Sequence, residues 1–185
     1  NSLFQFSALR RQNWVALDAA DKILFIPDAL GYMMTGNAVT EYTIASTSEM
    51  LNPVTKKLDA KLLEALSLTE DKFGKIVYPG DKLGTLTQEM QDLTGLGAVP
   101  VISVAGHDTA SAVAAVPATT KDFTYLSSGT WSLMGIESDD PIITERSQQE
   151  NFTNEGGIQG TTRFLKNICG MWLLERCRAE WKQNG

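Results

Sequence analysis

The apolar positions in the first hundred residues predict short helices joined by polar connections. Apolar side chains recur at helical spacing, which predicts helices over 3–11, 14–22, 27–35, 60–66 and 89–93. Pro27 opens the third of these helices and Gly36 stops it, which are positions where the two residue types are common. Residues 37–48 are polar and rich in hydroxyls, so we expect a solvated loop or a short strand there.

A run of β-branched residues from 99 to 105 predicts a strand that is buried on both faces. Gly106 ends the run, and His107 and Asp108 then lead into a small-residue helix that Pro117 terminates. Open α/β sheets bind their ligands at the carboxyl ends of strands, where a turn into a helix occurs. The strand-to-helix turn at 106–108 is therefore a candidate functional site.

Asp108 has two interpretations, and the residues alone leave both open. Its carboxylate suits a helix N-cap, which accepts a backbone hydrogen bond. It also suits a general base that takes a proton from a hydroxyl or from water. His107 is the only histidine in the chain, which excludes a paired or triple histidine site within it. A Ser-His-Asp triad would need a separate aspartate to orient His107.

The pattern after Pro117 predicts a hairpin followed by a long helix. Two apolar runs, 123–126 and 131–136, flank Ser-Ser-Gly-Thr, which is typical of a turn that can aim N–H groups and hydroxyls at phosphate oxygens. The helix is expected from Thr161 or Thr162 to about Trp181. Its apolar stripe comprises Leu165, Ile168, Cys169 and Trp172. On this helix Asn167 would have Gly170 one turn later, which leaves either open space for a ligand or room for close packing.

Composition narrows the functional classes. The chain has 185 residues, 43% of them hydrophobic and 21% charged, with a net charge of −6. This charge and the lack of a Lys or Arg run argue against nucleic acid or an anionic membrane as partner. Cys169 and Cys177, eight residues apart on the expected helix, would be separated by about 12 Å and could not form a disulfide. Reduced thiols fit a cytoplasmic protein.

Several stretches resemble the FGGY family of carbohydrate kinases, and in particular its rhamnulose-phosphorylating branch. They include VAGHDTASAV, SSGTWSLMG and NFTNEGGIQGTTRFLKNICGMWLLE, in this order and spacing. FQFSAL, IPDALGYMMTG, VTEYTIAS and YPGDKLGTLT are similar to the family's first domain. The resemblance implies an α/β chain with the actin-like, ribonuclease-H-like ATPase fold. It also implies ATP-dependent phosphorylation of L-rhamnulose at O1, with Mg²⁺ bound.

The resemblance also implies roles for individual residues. Asp108 would be the catalytic base, and it would bind the sugar together with His107 and Thr109. Gly129 and Thr130 would form a phosphate-binding turn, and Asn167 would reach ATP from its helix. Glu175 stands where the family commonly has Gln at a nucleotide-contacting position, and a negative charge there is unfavourable beside a triphosphate.

The resemblance further implies a division into two domains. Residues 1–117 would be the end of the sugar-binding domain and 118–185 the start of the ATP-binding domain, with a hinge at 117–122. The chain does not begin with Met, and it begins and ends in helical patterns. We therefore expect a piece of a longer enzyme that is inactive alone. The alternatives are a kinase for another ketose, such as L-fuculose or xylulose, and a non-catalytic sugar- or nucleotide-binding relative.

Overall fold

The computed structural model describes residues 1–184, and its first part is mainly helical. The helices are α1 (Ser2–Arg11), α2 (Ala16–Ala19), α3 (Ile26–Thr35), α4 (Tyr42–Ser46), α5 (Ala60–Ala65), α6 (Gln88–Thr94) and α7 (Asp108–Ala114), with a 3₁₀ turn at Glu70–Lys72. The short strands are β1 (Val39–Glu41), β2 (Leu51–Asn52), β3 (Lys57–Leu58), β4 (Lys75–Val77), β5 (Lys82–Thr85) and β6 (Pro100–Ile102). They pair as parallel β1–β4, antiparallel β2–β3 and antiparallel β5–β6.

The second part is built on one antiparallel sheet. Its strands are β7 (Thr124–Ser128), β8 (Trp131–Ser138), β9 (Phe152–Gly156) and β10 (Thr162–Cys169), in the spatial order β7-β8-β10-β9. A short helix α8 (Glu145–Gln149) precedes β9, a 3₁₀ turn at Ile158–Gly160 precedes β10, and α9 (Trp172–Asn184) follows it. The hairpin predicted around Ser-Ser-Gly-Thr is confirmed, with Ser128 paired to Ser132 across its turn.

Apolar side chains are buried within the first part and also between the two parts. The first part has a core of Met50, Leu58, Leu63, Leu66, Leu68 and Phe73. A second cluster of Val113, Tyr125 and Leu165 packs α7 against the sheet. Removing this apolar surface from water favours the contact between the parts. The turn at the start of α7 is therefore held against the second part of the chain.

A close backbone approach also joins α4 to β9. A Cβ at Gly156 would lie 2.6 Å from a carbon of the Tyr42 ring, which is much closer than van der Waals contact allows. The N–H of Gly156 donates to Ser46 Oγ at 2.7 Å, and Lys56 Nζ donates to the carbonyl of Gly160 at 2.6 Å. Glycine at 156 therefore permits the two parts to pack this closely.

The prediction of a helix from Thr161 or Thr162 to Trp181 is wrong for its first half. Residues 162–169 form strand β10, and the helix begins only at Trp172. The strand is paired on both sides, with β8 and with β9. These long-range hydrogen bonds override the helical spacing of Leu165, Ile168 and Cys169, of which only Leu165 is buried. Cys169 and Cys177 accordingly lie on different elements, both as free thiols.

Two other expectations are wrong as well. Residues 37–48 contain the short strand that is one of the two alternatives, β1, but they do not form a solvated connection, because α4 follows and most of the residues are buried. The strand expected over 99–105 covers only 100–102, and Ile102 and Val104 are exposed rather than buried on both faces. Within residues 1–184, β6 pairs with β5 alone, so it lies at an edge. The helix bounded by Pro27 and Gly36 is confirmed.

Candidate active site

The 106–108 turn is held by side chains from the β1–α4 segment. The N–H of Gly106 donates to Glu41 Oε2 at 2.9 Å, and the N–H of His107 donates to Thr43 Oγ1 at 3.2 Å. Ser111 on α7 donates to the carbonyl of Ala105 at 2.7 Å. The backbone of the turn is thereby fixed by two side chains more than 60 residues away in sequence and by one side chain of α7.

Glu41 is the centre of this arrangement. It is buried at the end of β1, and its Oε1 accepts the N–H of Thr43 at 2.8 Å. Its Oε2 accepts the hydroxyl of Thr43, the N–H of Ile44 at 3.0 Å and the N–H of Gly106. One buried carboxylate therefore caps α4 and anchors the turn. The sequence analysis missed Glu41, although an acidic residue just before the apolar residues of α4 is an N-cap signal.

Asp28 lies beneath Glu41 and is also buried. Its Oδ1 accepts the N–H of Glu41 at 3.1 Å, while Oδ2 has no hydrogen-bond partner within the described residues. Burial raises the pKa of Asp28 to about 7; the hydrogen bond from Glu41 opposes the rise, and the charge of the Glu41 carboxylate adds to it. The support of the turn thus contains a carboxyl group that titrates near neutral pH.

Asp108 is the first residue of α7, and its side chain is 97% exposed. His107, not Asp108, occupies the N-cap position, and no side chain caps the helix. Asp108 Oδ1 accepts the N–H of Thr109 at 2.7 Å, and the Thr109 hydroxyl lies 3.4 Å from the same oxygen. The carboxylate is therefore orientated by its neighbour and remains accessible, as a base acting on a bound hydroxyl must be.

The His107 ring lies between Asp108 and the second part of the chain. Its Nε2 is 3.7 Å from Asp108 Oδ1, and its Nδ1 is 2.9 Å from Arg163 Nη2. Burial is the main cause that lowers the pKa of His107, and the Arg163 charge lowers it further. Glu155 Oε2, 3.6 Å from Nδ1, acts in the opposite direction. The net effect is a lowered pKa, which favours the neutral imidazole.

The expected nucleotide-contacting residues lie on the second part. Gly129 and Thr130 are exposed at the β7–β8 turn, but the N–H of Gly129 already donates to the carbonyl of Trp131 at 2.9 Å. The carbonyl of Gly129 accepts the N–H of Met171, which fastens the turn to the segment before α9. The phosphate-binding N–H expected at Gly129 is therefore occupied, whereas Thr130 is exposed.

Asn167 lies on a strand, which corrects the expectation that it reaches ATP from a helix. It is exposed near the end of β10, paired with Leu133, and shares a sheet face with Arg163 and Leu165. The open space expected beside Gly170 is also absent, since a Cβ at Gly170 would lie 2.5 Å from the Gly129 carbonyl oxygen. Close packing is the correct alternative there.

Glu175 lies in the first turn of α9 and accepts a hydrogen bond from Arg178 Nη1 at 2.8 Å. This exposed pair offsets the negative charge of Glu175. Within residues 1–184 no hydrogen bond joins residues 107–109 to Gly129, Thr130 or Asn167. The two groups are connected through the packing of α7 on the sheet, where Val113 meets Tyr125 and Leu165.

The described part of the chain has neither a metal-binding cluster nor a membrane-spanning helix. No cluster of three or more His, Cys, Asp or Glu side chains there could hold a metal ion. None of the helices over residues 1–184 has the length and apolar character that crossing a bilayer requires. The site thus consists of one accessible carboxylate, a neutral imidazole and a sheet turn that carries hydroxyls.

The fold is shared with proteins of known structure at low sequence identity. Solved structures with the same fold include xylulose kinase from Lactobacillus acidophilus (TM-score 0.80, 19% identity, 96% of this chain and 36% of that one). Glycerol kinase from Plasmodium falciparum with ADP gives a TM-score of 0.75 at 15% identity, over 94% of this chain and 37% of that one. The fold is α/β and actin-like, as the sequence predicts.

The family follows from direct sequence comparison. The model of the N-terminal domain of the FGGY family of carbohydrate kinases matches residues 1–115, and the model of the C-terminal domain matches residues 124–185. The chain belongs to the FGGY family of carbohydrate kinases. It is 65% identical over 98% of its length to rhamnulokinase from Bacteroides thetaiotaomicron and 46% identical over 97% to rhamnulokinase from Bacillus subtilis. It spans 37% and 36% of the lengths of these relatives.

Proposed function

We propose that the protein phosphorylates L-rhamnulose at O1, using ATP as its Mg²⁺ complex. The observation that carries this proposal is the 65% identity to a rhamnulokinase over 98% of the chain. An identity of 19% or less to kinases of other names supports the fold alone. The substrate assignment therefore rests on sequence similarity, and the mechanism rests on the geometry around Asp108.

Asp108 acts as the general base in this proposal. As the C1 oxygen of the sugar attacks the γ-phosphorus, the new O–P bond forms, the bond from the γ-phosphorus to the bridging oxygen breaks, and ADP leaves. The hydroxyl proton passes to the Asp108 carboxylate. The 97% exposure of this side chain supports the role, since a hydroxyl can reach it directly. Positioning and charge supply most of the rate in such transfers, so one carboxylate is a sufficient base.

Substrate binding divides between the two parts of the chain. His107 and Thr109 bind sugar hydroxyls, and Thr130 and Asn167 bind the nucleotide on the exposed end of the sheet. Gly129 contributes to the phosphate-binding turn through its backbone conformation and not through its N–H, because that N–H donates to the carbonyl of Trp131. Magnesium usually keeps several waters and binds through phosphates and one or two carboxylates. Asp108 is the one accessible carboxylate of the turn, so a Mg²⁺ ion there would be held mainly by the phosphates of ATP.

We further propose a domain boundary near residue 117, with residues 1–117 in the sugar-binding domain and 118–185 in the ATP-binding domain. The interval from 116 to 123, which neither family match includes, supports it. Residues 117–122 are exposed and carry no regular element, so a hinge there would disturb little packing. A cytoplasmic location fits the free thiols at Cys169 and Cys177.

The substrate proposal is tested by ADP release from the full-length protein with L-rhamnulose, L-fuculose and D-xylulose in parallel. We expect the highest kcat/KM for L-rhamnulose, and the phosphorus spectrum of the product should show coupling to the C1 protons. A higher kcat/KM for L-fuculose or D-xylulose would reject the substrate while retaining the kinase. Sugar or nucleotide binding without ADP release would reject the kinase and favour a non-catalytic relative.

A further inference from the structure

Arg163 is a completely buried cation that the proposed mechanism does not use. It lies on β10 with a side-chain exposure of 0%, next to Glu155 on β9. Its Nη2 is 3.0 Å from Glu155 Oε2, and its Nε donates to the carbonyl of Gly156 at 3.0 Å. A buried guanidinium is costly unless it is paired and hydrogen-bonded, so this arrangement calls for a function that an apolar side chain would not provide.

The third contact of Arg163 reaches out of its own sheet to His107. Its Nη2 lies 2.9 Å from His107 Nδ1. A guanidinium only donates hydrogen bonds, so Nδ1 must be the acceptor and must carry no proton. The other candidate partner of Nδ1 is Glu155 Oε2, which is 3.6 Å away and beyond hydrogen-bond distance. The hydrogen of the neutral ring is therefore on Nε2, which faces Asp108.

We propose that Arg163, held by Glu155, is a positioning residue that fixes His107 as the neutral Nε2–H tautomer. This proposal rests on the proposed function, because it assigns His107 a defined task in sugar binding. With its hydrogen on Nε2, His107 donates to a sugar oxygen beside the Asp108 carboxylate. Both parts of the chain then contribute to sugar binding, since His107 belongs to the first part and Arg163 lies on the antiparallel sheet of the second.

The neutral charge of His107 matters because its Nε2 is only 3.7 Å from Asp108 Oδ1. A protonated imidazole at that distance would stabilise the carboxylate and make it a weaker base. Burial and Arg163 disfavour protonation of His107, while Glu155, Asp108 and Glu41 favour it. Protonation would also place a hydrogen on Nδ1 directly against the Arg163 donor. Arg163 thus keeps the base effective at mildly acidic pH.

The tautomer is measured directly by ¹⁵N NMR of the histidine rings in the full-length protein, with the His107 signals assigned by their loss in His107→Gln. We expect the nitrogen shifts of the Nε2–H form, unchanged from pH 7.5 down to 6. The Nδ1–H shifts, or titration of the ring near 6.5, would overturn the proposal. This measurement needs no turnover, so it tests Arg163 independently of whether L-rhamnulose is the substrate.

A double variant, Arg163→Met with Glu155→Gln, removes the pair without leaving a buried unpaired charge. With no donor left at Nδ1, the neutral His107 ring is free to populate both tautomers, so we expect its ¹⁵N shifts to move from those of the Nε2–H form toward those of the Nδ1–H form. The matched control, Lys166→Met with Glu150→Gln, removes an ion pair between β10 and the residue after α8, and it should keep the wild-type ¹⁵N shifts of His107. Identical ¹⁵N shifts of His107 in both double variants would overturn the positioning role.

Discussion

Replacing Glu41 by Gln tests whether the support of the 106–108 turn is built as the structure shows. The carboxylate accepts four hydrogen bonds, one on Oε1 and three on Oε2. A glutamine can place its oxygen at the Oε2 position and keep three of them. Its NH₂ group then faces the N–H of Thr43, and two buried donors are left without an acceptor.

The cost of this change follows from the same contacts. An unsatisfied buried donor costs about 1–3 kcal/mol, and hydrogen bonds to a charged acceptor are stronger than those to an amide. We therefore expect Glu41→Gln to lower the free energy of unfolding by about 2–4 kcal/mol. We also expect kcat to fall more than the KM for ATP rises, because Gly106 precedes the base by only two residues.

Urea denaturation of the full-length protein measures the first effect and ADP release measures the second. Glu64→Gln on the exposed face of α5 is the matched control, and it should change the unfolding free energy by less than about 0.5 kcal/mol. A Glu41→Gln protein as stable and as active as the control would refute the account of how the turn is held.

Two other predictions concern buried groups around the site. The first is Asp28→Asn. In the folded wild type the Asp28 carboxyl keeps its proton up to about pH 7, whereas in the unfolded chain it loses the proton near pH 3.8. The free energy of unfolding of the wild type therefore decreases as pH rises from about 4 to 7, by at most about 1.4 kcal/mol per pH unit. The Asp28→Asn variant should lack this decrease, which urea titrations at several pH values would measure. For Gly156→Ala, the added methyl would lie 2.6 Å from the Tyr42 ring, so we expect a loss of about 1–3 kcal/mol. Gly97→Ala is the matched control, because no atom lies within 4 Å of the added methyl and its φ, like that of Gly156, is not left-handed. Equal stability of the Gly156→Ala protein and the wild type would contradict the close packing.

The start of α7 could be predicted from sequence because its signals are local: a glycine, then His107 and Asp108 before small helix-forming residues. The predicted strand ends at Ile102, so residues 103–107 separate it from the helix. The family resemblance extended the prediction to the actin-like fold, which the solved structures confirm. The roles of His107, Asp108 and Thr109 in binding and catalysis remain proposals.

The supports of the turn could not be predicted in the same way, because they depend on distant pairing. Glu41 lies 65 residues before Gly106, and Arg163 lies 56 residues after His107. The spacing of Leu165 and Ile168 suits a helix, and only the hydrogen bonds of β10 to two neighbouring strands make it a strand. Once Arg163 is placed in a strand, its side chain shares the face of Leu165 and can reach His107.

The central claim, that Asp108 is the base, is tested most directly by the Asp108→Asn variant of the full-length protein. Initial rates of ADP release with L-rhamnulose should show a kcat lowered by about 10²–10⁴, with the KM for the sugar little changed. Asp21→Asn, another exposed aspartate, should match the wild type. A kcat for Asp108→Asn within a few-fold of the wild type would contradict the account and leave Asp108 as a residue that only shapes the start of α7.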